Sequence, residues 1–296
     1  MLTIGIPTYN RAQIVEEHLR YYIKNDLPDW VKILIIDNNS SDETYKNLLE
    51  ISKIFKNIEV YKNKSNLGFQ GNYLELFKKC DTDYLLLTSD EDPVIIRKLS
   101  KLKNFLDKNQ PTLISSQFYL KGEAENENLY RGSIETREIR PNEFHNSSFY
   151  ISGLVYNINN SLKIIKKIEN YLKNPNQIYP QILLASQLIA KYKCFWWSET
   201  LVEKAYQLDS EIKGETGEMY YHISERWKQH KLFVDFLKDM IALAKDKNQK
   251  KRIEMMLKIQ EEMFIYRLRH AINQERPDLL SGFDRGAVKL YSKHLK

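Results

Sequence analysis

The sequence predicts an α/β protein: a mainly parallel sheet flanked by helices, with a helical hairpin at its C-terminal end. Three observations carry this. Over residues 1–90, short apolar runs alternate with segments of helical period. Each pair of runs is joined by one helix, the connection that a parallel sheet with right-handed crossovers requires. Beyond Glu218, two long apolar-striped segments are separated only by the polar KDKNQKK.

Taken in order, Leu2 to Ile6 is the first strand. Arg11 to Asn25 is a helix with Ile14, Val15, His18, Leu19 and Tyr22 on one face. VKILIID is a continuous apolar run, as a strand covered on both faces needs, and it ends at Asp37. NNSSDET follows. There Ser40 and Glu43 have the spacing of a capping box for a helix reaching Lys56, while Asp42 suits the positive end of a helix. IEVYKN is the third strand. Gln70 to Lys79 is a helix with Tyr73, Leu74 and Phe77 apolar, and DYLLLTS is the fourth strand. From Pro93 to Trp197 the pattern is less regular. KGEAENENLYRGSIETREIRPNEFHNSS reads as loop-rich, ISGLVYNI as a strand entered through a Ser-Gly turn, Pro180 to Lys191 as an apolar helix, and CFWW as a buried strand. Adjacent tryptophans in a strand face opposite ways, so at most one of Trp196 and Trp197 can line a cleft. In the hairpin, Trp227, Val234, Leu237, Ile241 and Ala244 form one stripe. Ile253, Met256, Leu257, Phe264, Leu268 and Ala271 form the other.

Composition excludes several classes. With 42% apolar residues in 296, the chain can bury a sizeable core. Cys80 and Cys194 match no metal or redox spacing and suit a reducing compartment. MLTIGIPTYNR lacks the features of a signal peptide, and no apolar run is long enough to span a bilayer, so the expectation is a soluble, cytoplasmic protein. The net charge of +6 is concentrated late. From Glu215 onward there are 17 Lys/Arg against 12 Asp/Glu, leaving 28 against 27 before it. That excess is either a solvated helix surface or a face that leans on an anionic lipid or substrate. No nucleic-acid-binding motif accompanies it. There is no GxGxxG after the first strand, no GxxxxGK[ST] and no GxSxG, which argues against dinucleotide folds, P-loops and nucleophile elbows.

The strand ends carry the chemistry. In a parallel sheet the ligand binds beyond the carboxyl ends of the strands. There stand Pro7-Thr8-Tyr9-Asn10, Asp37-Asn38-Asn39, Asn66-Leu67-Gly68 and Asp90-Glu91-Asp92. An anionic diphosphate beside three carboxylates requires a divalent cation between them. Mg²⁺ and Mn²⁺ take such oxygen ligands together with substrate phosphates, and they stabilise the charge on a departing diphosphate. Asp37 reads either as an acceptor of backbone hydrogen bonds from its own turn or as a group for the imide N–H of a pyrimidine.

IGIPTYNR, IIDNNSSDET, NKSNLGFQGN and DYLLLTSDED, in this order, resemble the nucleotide-binding half of family 2 glycosyltransferases with the GT-A (Rossmann-like) fold; the motifs cover residues 2–93. The resemblance implies a nucleotide-sugar donor, favouring UDP, a Mn²⁺ or Mg²⁺ ion, and transfer with inversion to a glycan or lipid-linked acceptor, in a bacterial surface-polysaccharide setting. It divides the chain into a GT-A domain over 1–212, with a nucleotide-binding half (1–93) and an acceptor half (94–212), and a helical appendage over 213–296. Carried over, Pro7, Thr8 and Tyr9 line base and ribose, and Arg11 stands near the phosphates. Asp37 binds the base, and Asn66, Gly68 and Asn72 border the donor pocket. Asp90 touches ribose or metal, Asp92 holds the metal, Glu91 faces solvent, and Ser152-Gly153 is the turn beside acceptor and donor sugar. The basic hairpin would rest on the inner membrane face or form a homodimer interface.

One departure stands out. The family carries an acidic base downstream of that turn. Here no acid occurs between Glu169 and Glu199, and Tyr179, Pro180 and Gln181 lie in its place. Asp209, Glu211 or His145 could serve instead, or the chain could be a catalytically degenerate donor-binding partner subunit. A sugar nucleotidyltransferase is the other rival, but IPTYNR is not a glycine-rich triphosphate loop.

Overall fold

The computed structural model describes residues 1–122, 133–174, 177–205 and 223–283, the side chains at 274 and 275 excepted. The chain divides into two compact units, Met1–Pro175 with Tyr179–Tyr206, and Asn176–Ile178 with Gln207–Lys296.

The first unit is an eight-stranded sheet with helices. The first part alternates as its pattern requires: β1 (Leu2–Thr8), α1 (Ala12–Lys24), β2 (Val31–Asp37), α2 (Thr44–Ile54), β3 (Ile58–Lys62), α3 (Gly68–Lys79) and β4 (Tyr84–Leu87). The second part has α4 (Leu99–Asn109), β5 (Leu113–Leu120), β6 (Arg137–Glu138), β7 (Leu154–Asn157), α5 (Ile158–Leu172), α6 (Pro180–Lys191) and β8 (Cys194–Lys204). The strand order is β3-β2-β1-β4-β7-β5-β8-β6. β1 to β4 pair in parallel, as does β5 with β8, whereas β7 runs antiparallel between β4 and β5 and β6 antiparallel to β8.

The core follows from the apolar runs. Leu2, Ile4 and Ile6 of β1, Ile33 and Ile35 of β2 and Leu86 of β4 are buried against Val15, Leu19 and Tyr22 of α1. Burying each such aliphatic side chain contributes roughly 1.5–3 kcal/mol. On the opposite face of β1, toward α3, Gly5 leaves room for its neighbours: a Cβ there would lie 2.7 Å from Leu85 Cδ1, 3.3 Å from Leu87 Cδ2 and 3.4 Å from Leu76 Cδ2. Both tryptophans of CFWW are core residues, Trp196 4% and Trp197 2% exposed, so neither lines a cleft.

Four sequence expectations change. Ser40 and Glu43 form no capping box, because the Ser40 hydroxyl donates to Asp37 instead. Asp42 starts α2, its Oδ1 accepting the Thr44 N–H at 3.0 Å. The middle section is more regular than its sequence suggested, since α4, β5 and α5 carried no recognised signal. In the second unit, α7 (Ile223–Leu243) and α8 (Lys247–Glu275) form the hairpin with a tighter turn than KDKNQKK. Asp246 caps α8, accepting the Gln249 N–H at 2.7 Å. The buried stripe of α7 is Phe233, Phe236, Leu237 and Met240, with Trp227 58% exposed.

Candidate functional site

Strand register assembles the site. Thr8 of β1 is paired with Asp37 of β2, and Asp37 with Lys62 of β3, so three polar side chains stand side by side at the carboxyl edge. β4 ends one turn away, where the Thr88 N–H donates to the Gly5 carbonyl at 3.1 Å and the acids follow.

The turn after β2 is held by its own side chains. Asp37 is fully buried. Its carboxylate accepts the Ser40 N–H at 3.1 Å and the Ser40 hydroxyl, with the Lys62 ammonium 3.8 Å away. Ser40 Oγ in turn accepts the Asn10 N–H at 2.8 Å, and Asn10 Oδ1 the Ser41 N–H at 2.9 Å, which ties the loop after β1 to the loop after β2. Asn10 and Asn39 occupy left-handed backbone, φ 53 and 65, a conformation asparagine tolerates. Asn38 is the hub of the next loop. Its Oδ1 accepts from Asn63 Nδ2 and the Leu67 N–H, and its Nδ2 donates to Asn66 Oδ1 and the Gly68 carbonyl. Asn72 Nδ2 donates to the Ile36 carbonyl at 3.0 Å. Asn38, Asn66, Asn72 and Gly68 therefore shape one continuous rim.

The acid turn follows. Asp90 is buried, with Thr8 Oγ1 donating to its Oδ2 at 2.7 Å and Arg11 Nε 3.7 Å from its Oδ1. Arg11 Nη2 reaches Glu91 Oε2 at 3.2 Å, so Glu91 is held at the rim by the same guanidinium. Burial pushes the Asp90 carboxyl above the usual range, opposed by Arg11 and Thr8. Asp92 has different surroundings and is fully buried. Its Oδ2 accepts the Tyr150 hydroxyl at 2.5 Å and the Ser152 hydroxyl at 2.6 Å, and its Oδ1 accepts the Ala205 N–H at 2.9 Å. Burial raises this carboxyl too, against those three donors. Gly153, at φ 82, places its N–H on the Leu87 carbonyl at 2.9 Å, so the Ser152-Gly153 turn lies against the end of β4.

These carboxylates differ as cation ligands. Among the described residues no group of three or more His, Cys, Asp or Glu side chains is disposed to hold a metal. Asp92 is the less open ligand: it is fully buried, its Oδ2 accepts two hydroxyls and its Oδ1 a backbone N–H. Asp90 is the more open of the two, since Oδ1 carries only long contacts, the Ser89 hydroxyl at 3.5 Å and Arg11 Nε at 3.7 Å, and Glu91 stands beside it with a hard oxygen donor of the same kind.

The family model for glycosyl transferase family 2 matches residues 3–165, more than half of the chain. The chain belongs to glycosyl transferase family 2. A Haemophilus influenzae protein described as an uncharacterized glycosyltransferase is 28% identical over 169 residues, 56% of this chain and 51% of that protein. The chain spans about half the length of the curated relatives it matches. Among solved structures, S. aureus TarS 1–349 in complex with UDP-GlcNAc superposes with TM-score 0.62 at 15% identity, covering 94% of this chain and 83% of that one. The mannosyltransferase PcManGT from Pyrobaculum calidifontis, in complex with GDP-Man and Mn²⁺, gives 0.58 at 13% identity over 98% and 80%. These likenesses establish the fold, the GT-A-like architecture expected from the motifs.

In this family 2 chain the expected place of the base is the start of α6. Pro180 is its first residue and Gln181 follows. Gln181 Nε2 donates to the Phe149 carbonyl at 3.2 Å, and its buried Oε1 has no hydrogen-bond partner among the described residues. His145 is buried beside Phe144, their ring centroids 5.9 Å apart. Asp209 and Glu211 lie outside the described residues. Pro7 ends the strand and Tyr9 is 44% exposed at the rim. The residues that sequence reasoning missed are Lys62, Asn38 as a hub, Tyr150, and the buried pair His18 and Tyr22. The i, i+4 placing of a His and a Tyr on an apolar helix face was the available signal for the pair.

Proposed function

We propose that this chain transfers a sugar from a nucleotide-sugar donor to an acceptor hydroxyl. The observation that carries the reading is the convergence of Thr8, Arg11 and the Asp90–Glu91 pair at the carboxyl edge of a parallel sheet, beside the Asp37–Asn38 rim. The base and ribose lie along Pro7, Thr8, Tyr9 and the Asp37 turn, bordered by Asn66, Gly68 and Asn72. Arg11 balances the acids and stands toward the phosphates. Asp90 and Glu91 would hold a Mn²⁺ or Mg²⁺ ion, which supplies Lewis-acid stabilisation of the departing diphosphate when bound. Asp92 anchors the turn that presents them, and Ser152-Gly153 borders the sugar.

The reaction is a displacement with inversion. The acceptor oxygen forms a bond to the anomeric carbon, the bond from that carbon to the phosphate oxygen breaks, and the hydroxyl proton leaves to a base. UDP is the favoured nucleotide, as TarS has been solved with UDP-GlcNAc. A glycan or lipid-linked acceptor in bacterial surface-polysaccharide synthesis fits the bacterial relatives. No helix among the described residues is long and apolar enough to cross a membrane. In this reading the protein works in the cytoplasm, with the basic hairpin at the inner membrane face or in a homodimer.

The neutral Gln181 where the family places an acid favours one second reading, a degenerate partner subunit that binds donor without turning it over. Thermal unfolding against UDP, dTDP, GDP and CDP, with and without Mn²⁺, tests the donor site in wild type and Asp90→Asn. A nucleotide at about 100 times its dissociation constant adds roughly 2.7 kcal/mol. One nucleotide should stabilise the wild type more with metal than without, and Asp90→Asn should lose the metal increment. No shift with any nucleotide removes the donor-site reading. Binding without transfer or hydrolysis of the matching nucleotide-sugar selects the partner subunit.

A further inference from the structure

We propose that His18 and Tyr22 are positioning residues that hang both ends of the acid turn on helix α1 and so set the height of Asp90 for the donor. The inference rests on the donor-site reading above. His18 Nδ1 lies 3.0 Å from the Asp90 carbonyl oxygen, His18 Nε2 lies 2.8 Å from the Tyr22 hydroxyl, and the Val94 N–H lies 3.0 Å from that same hydroxyl.

These contacts dictate every proton. A carbonyl oxygen only accepts, so His18 Nδ1 carries the hydrogen. In a neutral ring Nε2 is then an acceptor, and the Tyr22 O–H donates to it. That leaves the Tyr22 oxygen to accept from the Val94 N–H, which is the direction the backbone supplies. The relay runs Val94 N–H to Tyr22, Tyr22 O–H to His18, His18 N–H to Asp90, with no donor left over. Both side chains are buried.

The division of labour points to function. Thr8 and Arg11 hold the Asp90 side chain, while His18 holds its backbone carbonyl and Tyr22 the amide four residues on. Positions 18 and 22 lie on the face where α1 buries Val15 and Leu19. Two aliphatic residues would fill such positions without any polar group to satisfy. The polar pair instead captures a carbonyl and an amide of the turn that leaves β4, a turn whose far end is also bridged at Val94 to Val202 of β8. A turn ordered before the donor arrives spares the ordering cost at binding.

The test uses His18→Leu, His18→Asn and Tyr22→Phe in the full chain, with calorimetric titration of UDP, dTDP, GDP and CDP in the presence and absence of Mn²⁺. Thermal unfolding confirms that each variant is folded at the titration temperature. For the nucleotide the wild type binds, His18→Leu should weaken the dissociation constant about tenfold, since a buried acceptor loses its donor. His18→Asn, whose amide stands where Nδ1 stood, should recover most of it. Tyr22→Phe, which deletes one oxygen, should weaken it as well, and it carries the test should His18→Leu fail to fold. A drop in unfolding temperature with the dissociation constant within about twofold of wild type overturns the inference, leaving a packing pair. Equal weakening by Leu and Asn also overturns it. A wild type that binds none of the four nucleotides overturns the donor-site reading and this inference with it.

Discussion

The acid turn is held from two sides, and the two sides are built differently. Residues 1–88 hold Asp90 through groups that sequence order brings to one edge: Thr8 at the end of β1, Arg11 just before α1, His18 on α1. The later part holds Asp92 through Tyr150, Ser152 and Ala205, which are 58, 60 and 113 residues away. In the early part the chain returns to the same edge at every strand, so polar residues at strand ends meet by default. In the later part the meeting depends on β7 entering antiparallel between β4 and β5, and on β8 lying beyond them. Two acids two positions apart thus have different partners: Asp90 faces a guanidinium, whereas the groups that donate to Asp92 are neutral and the Lys204 charge acts on it only through space.

The largest expected effect tests that contrast. Asp92→Ala strips the acceptor from two hydroxyls and a backbone N–H in a fully buried site, and it should destabilise the fold by about 3 kcal/mol or more. Asp90→Ala should cost about 1 kcal/mol, because Arg11 keeps Glu91 and Thr8 can turn to other partners. Urea denaturation of the two variants measures the difference. Equal losses would mean that the two sides of the turn are not distinct in the way their partners suggest.

The next effect is read against pH. His18 is a base whose folded pKa, about 4, lies below its ordinary 6.5 because burial disfavours the cation. Its neutral form is present in both states above pH 6.5, so nothing is lost there. As pH falls below 6.5 the unfolded chain takes up a proton that the folded chain refuses, and stability declines until about pH 4. The full loss is on the order of 3 kcal/mol. Asp90 and Asp92 have raised folded values, so near the bottom of that range they favour the folded state as pH falls and oppose the trend. Subtracting the stability curve of His18→Asn from that of wild type between pH 7.5 and 4.5 isolates the imidazole. Parallel curves would rule out a buried neutral ring.

The rim after β2 sharpens the comparison from the early side, and it also shows how far the sequence could be read. Asn38→Ala removes a hub serving Asn63, Asn66, the Leu67 N–H and the Gly68 carbonyl. About 2 kcal/mol should be lost in thermal unfolding, partly recovered by water because the loop is only half-buried. VKILIID announced its strand and its terminal Asp, so the location of this rim was legible. That Asn38 rather than Ser40 organises the loops was not, because capping-box spacing says nothing about a buried aspartate three residues upstream that takes the serine hydroxyl. Likewise, Asp90 was placed at the right edge by the apolar run before it. The saturation of Asp92 could not be seen, as no local pattern announces that Tyr150 and Ala205 will reach it. α4, β5 and α5 were missed for a related reason. They lie where the alternation is broken by an antiparallel insertion, and strand order there is a tertiary fact.

The smallest effect compares two tyrosines, one on each side of the turn. Tyr150 donates one hydrogen bond to Asp92 Oδ2, and burial next to that carboxylate pushes its pKa up, so it stays a donor. The Lys204 ammonium also sits over its ring, 5.2 Å from the centroid. Tyr150→Phe deletes the hydroxyl alone. Asp92 keeps Ser152 and Ala205, the ring keeps its place, and the loss should be about 1 kcal/mol. Tyr22→Phe deletes a hydroxyl that both accepts and donates, leaving the Val94 N–H and His18 Nε2 without partners in a closed site. It should therefore cost about twice as much in the same denaturation experiment. If Tyr150→Phe proves the costlier of the two, the later side holds the turn more firmly than the relay on α1. The acid turn would then be anchored chiefly by Asp92, and the positioning of Asp90 would be inherited from it.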